Sequence, residues 1–382
     1  MTPRPPLETT KVLDLSRMFP GAFCSMLLAD LGAEVVKVEA PGFGDGLRGM
    51  AAPGMFNATH TALNRGKQSL ALDLRSPGAP EVLRRLVRWA DVVIESHRPG
   101  QLDQMGIGYE ALRVENPALV WCSITGFGSS GPNAQAPGHD LTFLGSSGLL
   151  ANLAEGAPTP PDVTVSIPLA ASLAVSGILA ALLDAARTGE GRSVDVNMVD
   201  SAMLPLAEEI ARVRNAPGPG WGLIAARNVY ECADGRWVTV AATEPKSWSI
   251  LCEALDAPDL ADHRLGVDEE AARDRLAELF ATKPAAEWVA HPGLAGGVGP
   301  VNETADLLTD PQVTERGSLV ALEGSDVEVL ANPVRFDGAD GRGASAAVIP
   351  PPDLGADTDA ALAAAGFAPE EITALRADGV VA

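Results

Sequence analysis

Short apolar runs alternate with helical patterns along the first part of the chain. The runs Lys11–Asp14 and Glu34–Glu39 predict two strands, and the apolar spacing through Ser25–Leu31 predicts a helix between them. The alternation continues with a predicted helix at Pro80–Ala90. Further strands are predicted at Ser69–Leu74, Val92–Glu95, Leu119–Thr125 and Ser193–Met198. Because strand–helix–strand units build parallel sheets, the pattern predicts an α/β domain with a doubly wound parallel sheet.

The longest apolar segment, Ile167–Leu183, has nearly the length of a membrane span. Pro168 near its start, Ser172 and Ser176 within it and Asp184 just after it also fit a soluble helix. We therefore predict a core helix that is buried on all sides.

The segment Asn215–Gly222 is rich in proline and glycine, which interrupts the strand–helix pattern and predicts a linker. Beyond it, Val229–Cys232 and Trp237–Ala242 flank the turn residues Asp234–Gly235 and predict a β-hairpin. Short helical patterns follow the hairpin, so a second, smaller α+β domain is expected to begin after the linker.

Composition and charge narrow the classes of partner. The chain has 28 Lys and Arg residues against 50 Asp and Glu residues, which gives a formal net charge of −22. Nucleic acid and anionic membrane surfaces recruit Lys and Arg, so neither is an expected partner. A polyanionic ligand would have to meet a local cluster of cations.

No metal site or disulfide framework is indicated. The four cysteines, Cys24, Cys122, Cys232 and Cys252, form no CxxC pair and share no metal-ligand spacing with the five histidines. Residues Met1–Glu8 lack the apolar stretch of a secretory signal. We therefore expect reduced thiols, no metal or redox cofactor, and a cytoplasmic protein.

Motifs spread over nearly the whole chain are shared with one known family. They are Val12–Glu39, Asn64–Leu74, Asp91–Tyr109, Ser123–Pro132, Gly138–Leu141, Asp310–Gly317, Asn332–Phe336 and Leu354–Val381. These segments resemble the CaiB/BaiF superfamily, the family III CoA-transferases and α-methylacyl-CoA racemases, and the opening segment is similar to that of the racemases. The resemblance implies an enzyme that handles an acyl thioester of coenzyme A.

The resemblance also implies a domain arrangement. Family members have a Rossmann-like large domain, built from the N-terminal half and a returning C-terminal segment, with a small domain between them. In this sequence the large domain would begin with residues 1–214, the small domain and linkers would comprise 215–310, and the returning segment 311–382. Family members are interlocked homodimers with active sites between one chain's large domain and the partner's small domain, and the same is expected here.

Five basic residues are candidates for binding coenzyme A, whose phosphates need cations. They are Lys37, Arg48, Arg65, Lys67 and Arg98, and the predicted elements place them after strands or in nearby loops. Parallel sheets present their ligand crevice at the carboxyl ends of the strands. By resemblance, Lys37 and Arg98 match contacts to the adenosine phosphates. The alternative for each is a solvated surface charge.

His139 and Glu244 are the candidate proton carriers. Inverting the carbon next to a thioester requires one base to remove its proton and a second group to return a proton on the opposite face. By resemblance, His139 is the racemase histidine and Glu244 is the glutamate that orients it and shares its proton, which makes a competent base near neutral pH. Asp140 matches a family aspartate near the thioester, although a backbone-capping role is equally open.

One catalytic residue of the family is replaced in this sequence. The resemblance places the family's second carboxylate at Ser166, eleven residues before Gly177. Serine keeps a good helix N-cap but removes the group that serves as nucleophile in the transferases and as second base in the racemases. Asp162 would substitute for it only if the alignment shifted by one helical turn.

Several functions therefore stay open. The first is racemase- or epimerase-type proton transfer, with His139 as principal base and water or Ser166 on the other face. The second is a repurposed biosynthetic enzyme that uses the enolate for isomerisation, elimination or cyclisation. The others are CoA transfer, and coenzyme A binding without catalysis. The acyl group is not readable, and the carrier could also be protein-tethered phosphopantetheine or a small molecule.

Overall fold

The computed structural model describes residues 4–153, 156–216, 224–263, 269–336 and 348–382. Two units can be distinguished: Met1–Glu208 together with Thr314–Ala382, and Glu209–Val313. The predicted linker at Asn215–Gly222 lies mostly outside the described residues.

A six-stranded parallel sheet is the centre of the first unit. Its strands are β1 (Lys11–Asp14), β2 (Glu34–Glu39), β3 (Lys67–Ala71), β4 (Val92–Glu95), β5 (Val120–Thr125) and β6 (Ser193–Asn197). The spatial order is β3-β2-β1-β4-β5-β6, and every neighbouring pair is parallel. The order reverses between β1 and β4, as in a doubly wound sheet whose ligand crevice lies at that point. The predicted fold class is confirmed.

Helices pack on both faces of this sheet. They are α1 (Phe19–Asp30), α2 (Ala58–Asn64), α3 (Ala79–Trp89), α4 (Gln101–Gln104), α5 (Tyr109–Leu112), α6 (Asp140–Ser147), α7 (Ser166–Thr188) and α8 (Met198–Met203). Successive strand residues point to opposite faces. Val12 and Val35 therefore belong to the core beneath α1 and α7, whereas Leu13 and Val36 belong to the core beneath α3.

Helix α7 is the long apolar segment of the sequence. By length and composition it could cross a membrane, but Ala174 and Ile178 on one face are buried where the helix packs on α1, β5 and β6. Gly177 is required at this contact, since a Cβ there would lie 2.7 Å from Cγ1 of Val194. Leu183 on the opposite face is 55% exposed. The expectation of burial on all sides is wrong for the single chain, because the sheet covers only one face of the helix.

The second unit has its own sheet and core. Its strands β7 (Arg227–Glu231), β8 (Trp237–Ala241) and β9 (Val298–Pro300) form an antiparallel sheet in that order. Its helices are α9 (Ala207–Asn215), which begins before the unit boundary, α10 (Pro245–Ala254), α11 (Glu269–Phe280) and α12 (Ala285–Val289). The predicted hairpin is present, and Gly235 in its turn has a φ of +73° that favours glycine.

The C-terminal part of the chain, from Thr314, belongs to the first unit. Helix α13 (Pro311–Glu315) leads into it, followed by β10 (Leu319–Ala321), β11 (Glu328–Leu330), α14 (Thr358–Ala364) and α15 (Pro369–Ala377). Helix α14 packs against β3, and the backbone N–H of Ser69 in β3 donates a 2.8 Å hydrogen bond to Asp357. The N–H of Asp73 donates to the carbonyl of Val380 at 2.9 Å. The chain end therefore covers the β3 side of the sheet.

Candidate functional site

Lys37 and Lys67 lie in a buried network around Asp14. Lys37 is inside β2 and not after it, and its Nζ lies 3.2 Å from the carboxylate of Asp45 and 3.5 Å from that of Asp14. The Nζ of Lys67 lies 3.7 Å from Asp14 and donates to two further oxygens at 3.0 Å. Both lysines thus neutralise a buried carboxylate, and a phosphate would reach them only by breaking these pairs.

Burial and charge set the pKa values in this network. Burial opposes ionisation of Asp14, but Lys37, Lys67 and two serine hydroxyls lower its pKa to about 2. Burial lowers the pKa of Lys67 to about 7, against the attraction of Asp14. Burial also opposes the charge of Lys37, yet Asp14 and Asp45 raise its pKa above the ordinary value. Asp14 and Lys37 are therefore a charged pair at neutral pH.

Arg48 holds the loop that follows β2. Its guanidinium donates two 2.7 Å hydrogen bonds to the carboxylate of Glu39 and one of 3.1 Å to the carbonyl of Pro352. Glu39 also accepts hydrogen bonds from the Ser69 hydroxyl at 2.6 Å and from the Asp45 N–H at 2.9 Å. Burial opposes its charge, but the bonds from Arg48 and Ser69 lower its pKa to about 2. Arg48 is thus occupied by a carboxylate in this conformation.

Arg65 is buried against Asp30. Its Nε and one Nη donate hydrogen bonds of 3.1 Å and 2.7 Å to the two oxygens of that carboxylate. Arg65 precedes β3 and Lys67 opens it, so both backbones lie at the amino end of the strand. Arg65 therefore lies in the predicted turn, whereas Lys67 lies in β3, because the strand begins two residues earlier than the sequence pattern indicates. Neither cation follows a strand at its carboxyl end.

A cavity of about 310 Å³ lies at the carboxyl ends of β1, β2 and β3. Its lining includes two exposed arginines that the sequence analysis missed, Arg17 and Arg75. Neither guanidinium has a hydrogen-bond or ion-pair partner in the part of the chain that the structure describes. A signal was available, because the segments LDLSR and LDLR each place an arginine just beyond an apolar strand. The cavity thus offers two cations that no carboxylate of the described ranges holds.

His97 adds an imidazole to the same cavity. Its Nδ1 is buried without a hydrogen-bond partner and lies 3.5 Å from the carboxylate of Glu95. The backbone N–H of His97 donates to that carboxylate at 2.7 Å. A buried polar atom without a hydrogen-bond partner is uncommon, and this one is closed off from solvent beside the Glu95 carboxylate, so it offers no contact to a ligand in this conformation.

Arg98 lies on a different cavity. It follows β4, is exposed, and lines a space of about 290 Å³ together with Tyr109, Ser123 and Thr125. Among the five predicted cations, it is the one without an ion-pair partner in the described residues. Of the predicted set, Arg48 and Arg98 lie in loops that follow strands, as expected.

His139 stands immediately before α6 and has an exposed side chain. It forms no ion pair within the described ranges. Gly138 beside it is required because a Cβ there would lie 2.5 Å from the ring of Phe143. Close packing of the backbone on this ring places the imidazole at the start of α6, where the backbone N–H groups of the first helical turn have no acceptor within the helix. The arrangement presents a base next to hydrogen-bond donors.

Asp140 caps the N-terminus of α7. Its Oδ1 accepts hydrogen bonds from the N–H of Ser166 at 2.8 Å, from the hydroxyl of Ser166 at 2.6 Å and from the N–H of Ile167 at 3.2 Å. Its Oδ2 accepts from the N–H of Val165 at 3.0 Å. A carboxylate is stabilised at this position by the helix dipole. Of the two roles considered for Asp140, capping is the one that the structure contains.

Ser166 is fully buried, with 0% of its surface exposed. Its hydroxyl is committed to Asp140, so it cannot reach a ligand in this conformation. The expectation that Ser166 donates a proton on the second face of the substrate is at odds with this burial. Asp162 is exposed in the segment before α7, and it stays a candidate carboxylate.

Glu244 belongs to the second unit. It precedes α10 as its N-cap, its carbonyl accepts a 2.9 Å hydrogen bond from the N–H of Trp248, and its side chain is exposed. The predicted pairing of Glu244 with His139 stays a prediction.

The cysteines offer no nucleophile. All four are free and buried. Burial raises the pKa of Cys122 to about 12 and that of Cys24 well above its ordinary value. A thiol of this kind is inert, since the thiolate is the reactive form. Within the described ranges, no group of three or more His, Cys, Asp or Glu residues is arranged to hold a metal ion.

Comparisons with known proteins agree on one family. The family model described as CoA-transferase family III matches residues 7–358. The chain is 31% identical to the human succinyl-CoA:glutarate CoA-transferase, over 86% of this chain and 79% of that protein. It is also 31% identical to the human α-methylacyl-CoA racemase, over 98% and 97% of the two chains. A crystal structure of a CaiB/BaiF family protein from Brucella suis superposes with a TM-score of 0.80 at 31% identity, covering 95% of this chain and 100% of that one. The chain therefore belongs to CoA-transferase family III, the CaiB/BaiF superfamily of enzymes that handle acyl-CoA thioesters.

Proposed function

We propose that this enzyme moves the α-proton of an acyl-CoA thioester, as a racemase or epimerase does, with His139 as the base. One observation carries the proposal: the imidazole of His139 is exposed, whereas the position of the family's second carboxylate holds the buried Ser166. Acyl transfer through a mixed anhydride needs a carboxylate nucleophile, and removal of an α-proton does not. The site therefore favours proton transfer over acyl transfer.

The chemistry divides into two proton steps. Neutral His139 removes the α-proton, and the electron pair of the C–H bond moves onto the thioester oxygen as an enolate. Backbone N–H groups in the first turn of α6 are donors for that oxygen. Return of a proton to the opposite face inverts the carbon, and water is the donor in this proposal because Ser166 is buried.

The nucleotide end of the thioester is proposed to bind in the cavity with Arg17 and Arg75. Guanidinium groups match phosphate geometry and hydrogen-bond to phosphate in pairs. The cavity lies at the carboxyl ends of parallel strands, where sheets of this kind bind ligands. Arg17 and Arg75, which have no ion-pair partner among the described residues, supply this cavity with the positive charge that phosphates need, in a chain whose net charge is −22.

We further propose that the working form is a homodimer in which Glu244 of one copy serves His139 of the other. The exposed Leu183 on α7 supports a covered face in the assembly, since apolar side chains there are open to water in the single chain. Light scattering on the wild type and on Leu183→Glu tests this proposal. The proposal is supported if the wild type is a dimer and Leu183→Glu is a monomer. Val114→Glu is the control, because it places the same charge at another exposed position and should leave the dimer intact. A monomeric wild type contradicts it.

The racemase proposal is tested with an enantiopure 2-methylacyl-CoA. We expect the wild type to invert the α-carbon and His139→Ala to lose that activity. The rate of inversion should be lower in Glu244→Gln than in the wild type. Inversion by His139→Ala at the wild-type rate would show that His139 is not the base. Production of a new compound without inversion would favour the repurposed biosynthetic enzyme instead.

CoA transfer is the second candidate, because the human glutarate CoA-transferase is as similar as the human racemase. The exposed Asp162 would be its nucleophile. Incubation with succinyl-CoA and glutarate, followed by mass spectrometry of the products, tests it. Transfer by the wild type that is lost in Asp162→Ala would favour this candidate, and absence of transfer would exclude glutarate as the acceptor.

A further inference from the structure

The loop that follows β2 presents an aromatic side chain to the cavity that holds Arg17 and Arg75. Phe43 is 72% exposed and belongs to the lining of that cavity. A single exposed apolar residue usually needs no explanation. Phe43 differs in two respects. Two arginines without an ion-pair partner among the described residues line the same cavity, and a hydrogen-bonded turn fixes the backbone that carries Phe43.

Two glycines fix the direction of Phe43. Gly42 and Gly44 have φ angles of +72° and +74°, a region that side chains with a Cβ rarely adopt. The N–H groups of Phe43 and Gly44 both donate to the carbonyl of Ala40, at 3.3 Å and 2.8 Å. The phenyl ring is thus carried at the tip of a hydrogen-bonded turn.

Buried charges anchor the end of this turn. Asp45 pairs with Lys37 at 3.2 Å, and its N–H donates to Glu39 at 2.9 Å. Asp45 also accepts a 3.1 Å hydrogen bond from the N–H of Met18, whose φ of 61° is unusual for a residue other than glycine. Lys37 therefore shapes the loop, although it does not line the cavity. A platform held in this way loses little conformational freedom when a ligand binds.

Resting on the proposed function, we propose that Phe43 is the surface on which the adenine ring of coenzyme A stacks while its phosphates meet Arg17 and Arg75. Aromatic side chains stack on bases through their π-faces, and the cations beside them hold the phosphates. A protein-tethered phosphopantetheine has no base and gains nothing from this ring. A stacking ring at this place therefore favours free coenzyme A as the carrier of the acyl group.

Calorimetric titrations with two probes test this role without turnover. Adenosine 3′,5′-bisphosphate carries the base and phosphates, and inorganic pyrophosphate carries phosphates alone. We expect Phe43→Ala to weaken binding of the bisphosphate roughly tenfold, while binding of pyrophosphate is unchanged. Phe43→Trp keeps an aromatic surface at this position and should retain the affinity for the bisphosphate.

Phe56 supplies the matched control. It is 60% exposed and is not among the residues that line the cavity, so Phe56→Ala should bind both probes as the wild type does. Equal binding by Phe43→Ala and wild type, equal losses in the two alanine variants, or no binding of the bisphosphate by the wild type would overturn the proposal. Because binding is measured directly, failure of the α-proton chemistry would sink the proposed function and leave this result standing.

Discussion

The hydroxyl of Ser166 donates a 2.6 Å hydrogen bond to Oδ1 of Asp140, and this contact joins the starts of helices α6 and α7. The same oxygen also accepts from the N–H of Ser166 at 2.8 Å. Asp140 directly follows His139, so the cap fixes the backbone that carries the proposed base. Ser166, the residue that the sequence resemblance places at the family's second carboxylate, is thereby buried in the support of helices α6 and α7 and does not lie at the surface.

Removing the cap should destabilise the protein. Asp140→Ala leaves the first N–H groups of α7 without an acceptor, which costs about 1–2 kcal/mol in free energy of unfolding. Asp140→Asn keeps an acceptor oxygen, so its free energy of unfolding should fall by less than that of Asp140→Ala. Urea denaturation measures both, with the exposed Asp162→Ala as control. Equal stability of Asp140→Ala and wild type would contradict the capping role.

Ser166→Ala should separate structure from catalysis. We expect a loss of about 1 kcal/mol in unfolding free energy, because one hydrogen bond to the cap disappears. The rate of α-proton exchange should stay at the wild-type value, since the hydroxyl is buried. Exchange is followed by mass spectrometry of the acyl-CoA in heavy water. Loss of exchange in a variant that is still folded would restore Ser166 as a proton carrier.

Stability should fall on acidification in two stages. Burial, with help from Arg48, lowers the pKa of His60 to about 4, from an ordinary value near 6.5. The unfolded chain then binds more protons between these values, so the contribution of His60 to stability is fully present above pH 6.5 and declines toward pH 4. The pKa values of Glu39 and Asp14, both about 2, add a further loss below about pH 4.5.

The variant His60→Gln tests the first stage. Its unfolding free energy should be flat between about pH 6.5 and pH 4.5, where that of the wild type declines. Both proteins should lose stability in parallel at lower pH. Parallel curves across the whole range would show that His60 does not carry the upper stage.

Arg17 and Arg75 should set the affinity for coenzyme A. Each change to alanine removes charged hydrogen bonds to phosphate and should raise the dissociation constant roughly tenfold. The affinity should also depend less steeply on salt in each variant. Arg84→Ala is the control, because Arg84 is on α3, pairs with Glu81 at 3.1 Å and does not line the cavity. Unchanged affinity in both cavity variants would move the nucleotide site elsewhere.

The fold was largely predictable because it depends on local pattern. Alternating apolar runs located β1, β2 and β4 at their observed bounds, and the family motifs agreed with the sheet. The site was less predictable. Whether Lys37 faces a ligand or a carboxylate depends on Asp14 and Asp45, which lie 23 and 8 residues away along the chain and meet it only in the folded protein.

Arg17 and Arg75 are the opposite case, because they were not predicted as site residues and yet line the cavity. Both were visible beyond apolar strands, but no motif separated them from other surface charges. Only the folded chain shows that no carboxylate among the described residues pairs with them. The burial of Ser166 was likewise hidden. A serine at a helix start reads as an N-cap, whereas here Asp140, 26 residues earlier, provides the capping carboxylate.

One reaction tests the central claim, that this enzyme moves an α-proton without transferring the acyl group. A 2-methylacyl-CoA is incubated in heavy water with excess glutarate, and deuterium at the α-carbon and glutaryl-CoA are measured together by mass spectrometry. The account predicts deuterium in the acyl-CoA, no glutaryl-CoA, and loss of the deuterium signal in His139→Ala. Glutaryl-CoA formed without deuterium uptake, at the same rate in His139→Ala, would contradict it.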